Sequence, residues 1–409
     1  MSYRFVKITS FYRDYLEYYY GRNKNESERS YSDQYKRLMY DSFAWADYFQ
    51  KNLIKIGVDA YEIIYNAEAL QNAWAREHGV NLKGKELLLF QLKWIAPDVI
   101  LFQDSNLFNG EWINYLRNQI PKVKLVIGWC CNPFNLNQMN LSKSFDFMLT
   151  CSPLFNQQFV DRGIKSFQLK HAFDRDILKK INITEIMQTT DFLFTGSFIQ
   201  SSDFHNERTK IIENLLEYDV NIKVLSKLNI DKPTILILKQ TSFILTKILL
   251  SIGFEKLIYS SLLLKKIANL KQMPKNPKYS KRLRTVVQDP VFGLEMFKEL
   301  ASSKITLNIH GGVAGNFAAN IRLFEATGVG SCLITDWKTN LNELFEIDYE
   351  VVSFKTSEEC IEKVKWLINH KAEREKIAKA GQKRVLKDHT FEVRAAQLDE
   401  IIRKKLNNY

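Results

Sequence analysis

Between Ser303 and Asp336 the chain reads SKITLNIHGGVAGNFAANIRLFEATGVGSCLITD, and its polar residues are spaced for holding an anion. Ile305, Leu307 and Ile309 alternate on one face of a short apolar run, which predicts a strand. His310 ends that run and can donate to a phosphate or sugar oxygen, although a loop histidine bonded to backbone fits equally. Gly311, Gly312 and Gly315 follow, so the backbone around Asn316 can approach a ligand closely and take positive φ. A helix expected to start near Ala318 points its free N–H groups and positive dipole end back at the loop, which suits a diphosphate. Asn320, Arg322 and Glu325 then fall within about a turn and a half. From there the Glu325 carboxylate can accept from a ribose hydroxyl pair. A structural βαβ unit with a surface glutamate shows the same pattern.

Other strand ends supply further candidates. Asp104 follows the apolar run Val99–Phe102 and can act as a base toward an acceptor hydroxyl, or form an Asx-turn or helix cap. Trp129, His171 and Asp174 occupy similar places and are weaker candidates. Phe192-Leu-Phe-Thr-Gly-Ser197 reads as a strand leaving through Gly196 and Ser197, with Arg208 in the helix behind, and this turn either meets a ligand or is only tight. The six histidines show no HExxH or similar spacing, so no metal site is expected.

The elements that must position these groups are those of parallel sheets. Apolar runs at 4–9, 60–65, 98–102, 124–128, 145–150 and 166–170 alternate with longer helical patterns, the signature of an α/β fold. The link from Ala172 to Thr190 places a boundary near residue 185. An N-terminal Rossmann-like domain is expected over 1–185, a C-terminal one over 186–390, and a terminal amphipathic helix over 391–409. In open α/β sheets ligands gather at strand carboxyl ends, so Gly196 and Gly311 are expected at one cleft.

The segment Asn320-Ile-Arg-Leu-Phe-Glu325-Ala-Thr-Gly-Val-Gly330-Ser-Cys-Leu-Ile-Thr335-Asp336, followed by Asn342-Glu-Leu-Phe345, resembles the nucleotide-sugar signature of the glycosyl transferases group 1 family. It is most similar to the branch that contains the spore-maturation CgeB-like proteins. The likeness continues through Ser357–Glu362, Glu373–Gly381 and His389-Thr-Phe-Glu-Val-Arg394, and covers about the last hundred residues densely. The resemblance implies a GT-B fold: two facing Rossmann-like domains with the nucleotide sugar bound in the C-terminal one, the acceptor in the N-terminal one, and a last helix crossing back. It places the ribose at Glu325 and the diphosphate on Gly311–Asn320. The retaining members carry a second glutamate eight positions before this one, where this chain has Phe317, so their sugar contacts and stereochemistry do not transfer. Relatives also tend to carry an acid shortly after Gly128-Trp129, where Asn132 stands here.

A length of 409 residues suffices for two domains, and 45% hydrophobic with 25% charged residues excludes a disordered chain. Five cysteines show no paired metal spacing, adjacent Cys130 and Cys131 are poorly placed to bridge each other, and a reduced cytoplasmic setting is expected. The N-terminus has no apolar leader pattern, so secretion is not expected. Much of the net charge of +12 falls between Lys239 and Arg284, where eleven Lys and Arg face one acid, Glu255. Dense apolar residues interleave with these cations over 234–284. Lys239, Lys247 and Glu255 are expected to cut the run below the roughly 20 residues a span needs. The segment then reads either as an interfacial membrane contact on the inner face of the plasma membrane or as amphipathic helices packed on the core.

Together these readings imply metal-independent transfer of a sugar from a nucleotide-sugar donor to a glycan or lipid-linked hydroxyl acceptor, in surface polysaccharide or glycoconjugate synthesis. No cofactor and no nucleic acid partner is expected. The alternatives are a nucleotide-sugar epimerase on the same fold and a basic protein that grips lipid or nucleic acid through 239–284. Product analysis separates the first, and salt-dependent binding the second.

Overall fold

The computed structural model describes residues 2–198, 203–218, 220–228, 230–270, 272–310, 312 and 314–407. Its strands are β1 (Arg4–Thr9), β2 (Asp59–Ile64), β3 (Val99–Phe102), β4 (Leu125–Trp129), β5 (Phe147–Thr150), β6 (Ser166–Gln168), β7 (Thr190–Thr195), β8 (Ile222–Leu225), β9 (Val287–Gln288), β10 (Ser303–Asn308), β11 (Cys332–Asp336) and β12 (Val352–Phe354). They form two parallel six-stranded sheets with alternating helices, the α/β architecture expected.

The first sheet has the order β2-β1-β3-β4-β5-β6. Its central strands β3, β4 and β5 are buried throughout, as parallel strands covered on both faces must be. Lys7 in β1 is the exception in composition, and it is fully satisfied. It lies opposite Glu62 of β2, 2.9 Å from its carboxylate, and also donates to the Ala46 carbonyl and to Gln103. Burial still pushes the Glu62 carboxyl up to about 8, against the pull of Lys7.

Two compact units divide the chain, one of residues 1–194 with 291–409 and one of residues 195–290. The larger unit contains the first sheet and the parallel run β12-β11-β10-β7. The terminal helix Phe391–Leu406 crosses back to the N-terminal sheet within this unit. Phe391 packs on Tyr48 and Phe49, Tyr3 donates to Asp399 at 2.8 Å, and Arg394 donates to the Lys170 carbonyl at 3.1 Å.

In the smaller unit β8 pairs with β9, and Pro233–Ser251 forms one unbroken helix of 19 residues. This corrects the expectation of an interrupted run: by length and composition alone the helix is long enough to cross a membrane, with 6% of it buried. Its two lysines are good helix formers and do not break it; Lys239 pairs with Asp231 and Lys247 donates to the Ala268 carbonyl. Ile237, Leu238, Leu245 and Ile252 are all more than half exposed, so these residues are not packed on a core.

Candidate functional site

At the end of β10 the His310 backbone N–H donates to Asp336 Oδ1 at 2.9 Å, and the ring Nδ1 lies 2.7 Å from the same oxygen. Parallel pairing of β10 with β11 brings these strand ends side by side. Lys338 Nζ stands 3.2 Å from Asp336 Oδ2. Burial alone would push the Asp336 carboxyl up, but His310 and then Lys338 outweigh it and hold it below the usual carboxylate range. The carboxylate can only accept, so Nδ1 carries the proton and Nε2 presents a lone pair in the neutral ring or a second N–H in the cation. That Nε2 is buried and has no partner among the described residues.

The turn after His310 is fastened from the segment after β11. Lys338 donates to the Gly315 carbonyl, and Thr339 donates to the Asn316 carbonyl through both its N–H and its hydroxyl. The buried side chain of Asn340 takes the Ala318 N–H at 2.7 Å and returns a bond to the Ala318 carbonyl at 3.1 Å. Gly315 has φ +58°, the conformation for which glycine is suited, and a β-carbon there would come 3.3 Å from Leu154. Gly312 accepts from the Gly315 N–H, Asn316 is exposed, and Gly311 lies outside the described residues. Asn320 is engaged in a reciprocal amide pair with Asn308 at 2.6 and 3.3 Å.

The helix behind the turn runs from Arg322 to Gly328, not from near Ala318. Asn340 holds both backbone groups of Ala318, which withholds that residue from a helical ladder and delays the start. Glu325 is buried, pairs with Arg322 at 2.9 Å, and has its carboxyl raised by burial with Arg322 pulling the other way. Leu323, Phe324 and Ala326 pack inward as the sequence predicts.

Asp104 neither caps a helix nor forms an ion pair among the described residues. Its Oδ2 accepts from the N–H and hydroxyl of Ser10, joining the ends of β1 and β3. Trp129 is buried against Trp45, and Asp174 is held by Lys51 at 2.6 Å. In the smaller unit Arg208 donates to the Ser197 carbonyl at 3.0 Å, and Gly196 donates to the Leu225 carbonyl. Asp336, Lys338 and Asn340 are residues that the sequence pattern does not single out. Asp336 had a signal there, since it closes the strand next to the one His310 closes.

The cysteines depart from expectation. Cys131 and Cys151 form a disulfide, with Cα atoms 5.5 Å apart, because the chain leaves the adjacent strands β4 and β5 at the same level. His171 Nε2 lies 3.7 Å from Cys131 Sγ. The ligand atoms of these three residues lie within 4.8 Å of one another, a grouping that no sequence spacing showed.

Residues 258–400 match the family described as Glycosyl transferase-like. The whole chain is similar in fold to a glycosyltransferase from Rickettsia africae, at 11% identity over 100% of both chains with a TM-score of 0.57. It is similar to the Anabaena protein HepE in complex with UDP, at 10% identity over 98% of this chain and 100% of that one, TM-score 0.53. It is also similar to an alpha-glucosyltransferase in complex with UDP and a 13-mer DNA, at 11% identity over 98% and 100% of the two chains, TM-score 0.56. No curated protein matches the sequence. The fold is GT-B, and with the family match it supports sugar transfer.

Proposed function

We propose that the protein moves a sugar from a nucleotide-sugar donor to a hydroxyl acceptor in the synthesis of a surface polysaccharide or other glycoconjugate. The observation that carries this reading is the buried, unpartnered Nε2 of His310, aligned by Asp336 at a strand end beside a fastened glycine turn. A buried polar atom without a partner is costly, and a donor oxygen would satisfy it. In this reading the diphosphate lies on the turn 311–320, Glu325 takes the ribose hydroxyls, and Arg322 offsets charge on the leaving group. Backbone N–H groups and this cation supply that stabilisation, so no metal is invoked. Asp104 is the base candidate if the reaction inverts. The motif likeness over 320–394 supports the CgeB-like branch.

HepE is described with UDP bound, which makes a uridine diphosphate sugar the first donor to try. A lipid-linked acceptor fits the exposed apolar helix Pro233–Ser251 and the lysines around it, which together suit an anionic membrane surface. Thermal shift with UDP, other nucleoside diphosphates and their sugars tests the reading. A true ligand at about 100 times its Kd adds roughly 2.7 kcal/mol of stability. Failure of every nucleotide to stabilise the protein would overturn it.

A further inference from the structure

The disulfide between Cys131 and Cys151 sits at the carboxyl ends of β4 and β5, the level at which an open α/β sheet meets its ligands. Cys131 is partly exposed, whereas Cys151 is buried. Trp45 Nε1–H donates to His171 Nδ1 at 3.3 Å, which fixes the neutral ring with its hydrogen on Nε2, facing Cys131 Sγ. That tautomer has no Nε2 lone pair for a metal, so the trio suits sulfur chemistry better than cation binding. Cys151 also opens a short path to the glycine turn. Ser152 caps the helix Pro153–Val160, and Leu154 in its first turn lies against Gly315.

We propose that Cys131–Cys151 is a reversible dithiol–disulfide site, reduced by a dithiol protein of the thioredoxin class, whose state sets how firmly Leu154 backs the turn around Gly315. A thiolate of the reductant attacks the accessible Cys131 sulfur, the S–S bond breaks, and Cys151 leaves as a thiolate that takes a proton from solvent. The reductant's second thiolate then attacks the mixed disulfide and releases Cys131, whose thiolate accepts a hydrogen bond from His171 Nε2–H before it too is protonated. Two electrons pass to the protein, and the reductant ends as a disulfide. Because the turn is the proposed diphosphate seat, the ligand half of this inference rests on the function proposed above.

Free thiols are counted in denaturant on protein purified without reductant, before and after treatment with a dithiol. The count is expected to rise from three, Cys130, Cys332 and Cys360, to the full five. Hydrogen exchange over residues 314–320 is expected to quicken about tenfold on reduction and in Cys131→Ser/Cys151→Ser, and UDP affinity to fall several-fold. His171→Phe, which keeps a ring but removes the N–H, is expected to slow reduction about tenfold. Five free thiols at the outset, or equal exchange of 314–320 in both states, would overturn the proposal. If exchange responds but UDP binds in neither state, the redox site stands and the donor reading fails.

Discussion

His310 Nδ1 lies 2.7 Å from Asp336 Oδ1, so residues closing two neighbouring parallel strands act as one unit. The carboxylate fixes the ring's tautomer and rotation, and Lys338 on its other oxygen keeps it ionised. His310 Nε2 is thereby aimed without spending its own bonding capacity. His310→Gln is expected to lower the rate of sugar transfer about 100-fold, within the range for a positioned acid or base. Asp336→Asn should lose a similar factor while nucleotide binding changes little. Initial rates with a nucleotide sugar, beside calorimetry with the diphosphate, check both. A full rate in a folded His310→Gln protein removes the histidine from the chemistry.

Glu325 is buried and pairs with Arg322 among the described residues. Glu325→Ala is expected to weaken binding of a nucleoside diphosphate by about 1.5–3 kcal/mol, the scale of hydrogen bonds to a charged group. Calorimetry on the folded variant measures this directly, and unchanged affinity would exclude Glu325 from the ribose site.

Much of this was legible in the sequence because strand and helix periods are local. The run Arg4–Thr9 and the terminal helix Phe391–Leu406 follow from residues next to one another. The His310 site was half legible: the glycines and Glu325 stand in one segment, whereas Lys338 and Asn340 reach the turn from the segment after the next strand. The helix start is not legible for that reason, since Asn340 binds Ala318 from 22 residues away. The disulfide likewise depends on strand adjacency, which spacing does not encode.

Asn340 offers a stability test of that staple. Asn340→Ala removes both of its bonds to Ala318 and leaves a buried N–H and C=O without partners. A loss of about 2–4 kcal/mol is expected, near the cost of leaving such groups unsatisfied. Chemical denaturation reads the global loss, and hydrogen exchange at 314–320 shows whether the turn loosens first. A variant as stable as the parent, with the turn equally protected, would mean Asn340 does not hold it.

His389 predicts a pH dependence. Its Nε2–H donates to the Leu344 carbonyl at 3.0 Å and its Nδ1 accepts from Arg394 at 2.9 Å. Burial lowers its pKa to about 4, and the Arg394 charge adds to that. The unfolded chain, with an ordinary histidine near 6.5, therefore binds more protons between pH 4 and 6.5. The unfolding free energy rises with pH across that window and is lost as pH falls, with this residue supplying at most about 1.4 kcal/mol per pH unit. His389→Gln should be less stable at pH 7 yet lose less on acidification. An identical slope in both proteins would assign the acid sensitivity to other groups.

The helix Pro233–Ser251 carries the last prediction, on where the protein works. Its apolar side chains at Ile237, Leu238 and Leu245 are exposed, and Lys265 and Lys266 lie on the helix Leu262–Ala268 that packs near it. An interfacial segment needs both attractions, apolar insertion and cations at anionic head groups, the latter about 1 kcal/mol for each lysine near the surface. The wild type is expected to sediment with vesicles of anionic lipid and to be released as salt rises, since only the electrostatic part is screened. Charge reversal by Lys265→Glu and Lys266→Glu, with the sequence's third lysine of this group, Lys271, which lies outside the described residues, should abolish sedimentation and leave circular dichroism unchanged. Leu238→Ser with Leu245→Ser should weaken binding at every salt concentration, which a purely electrostatic contact would not show. A wild type that stays in the supernatant at low salt would leave the exposed face to another partner and point to a soluble acceptor.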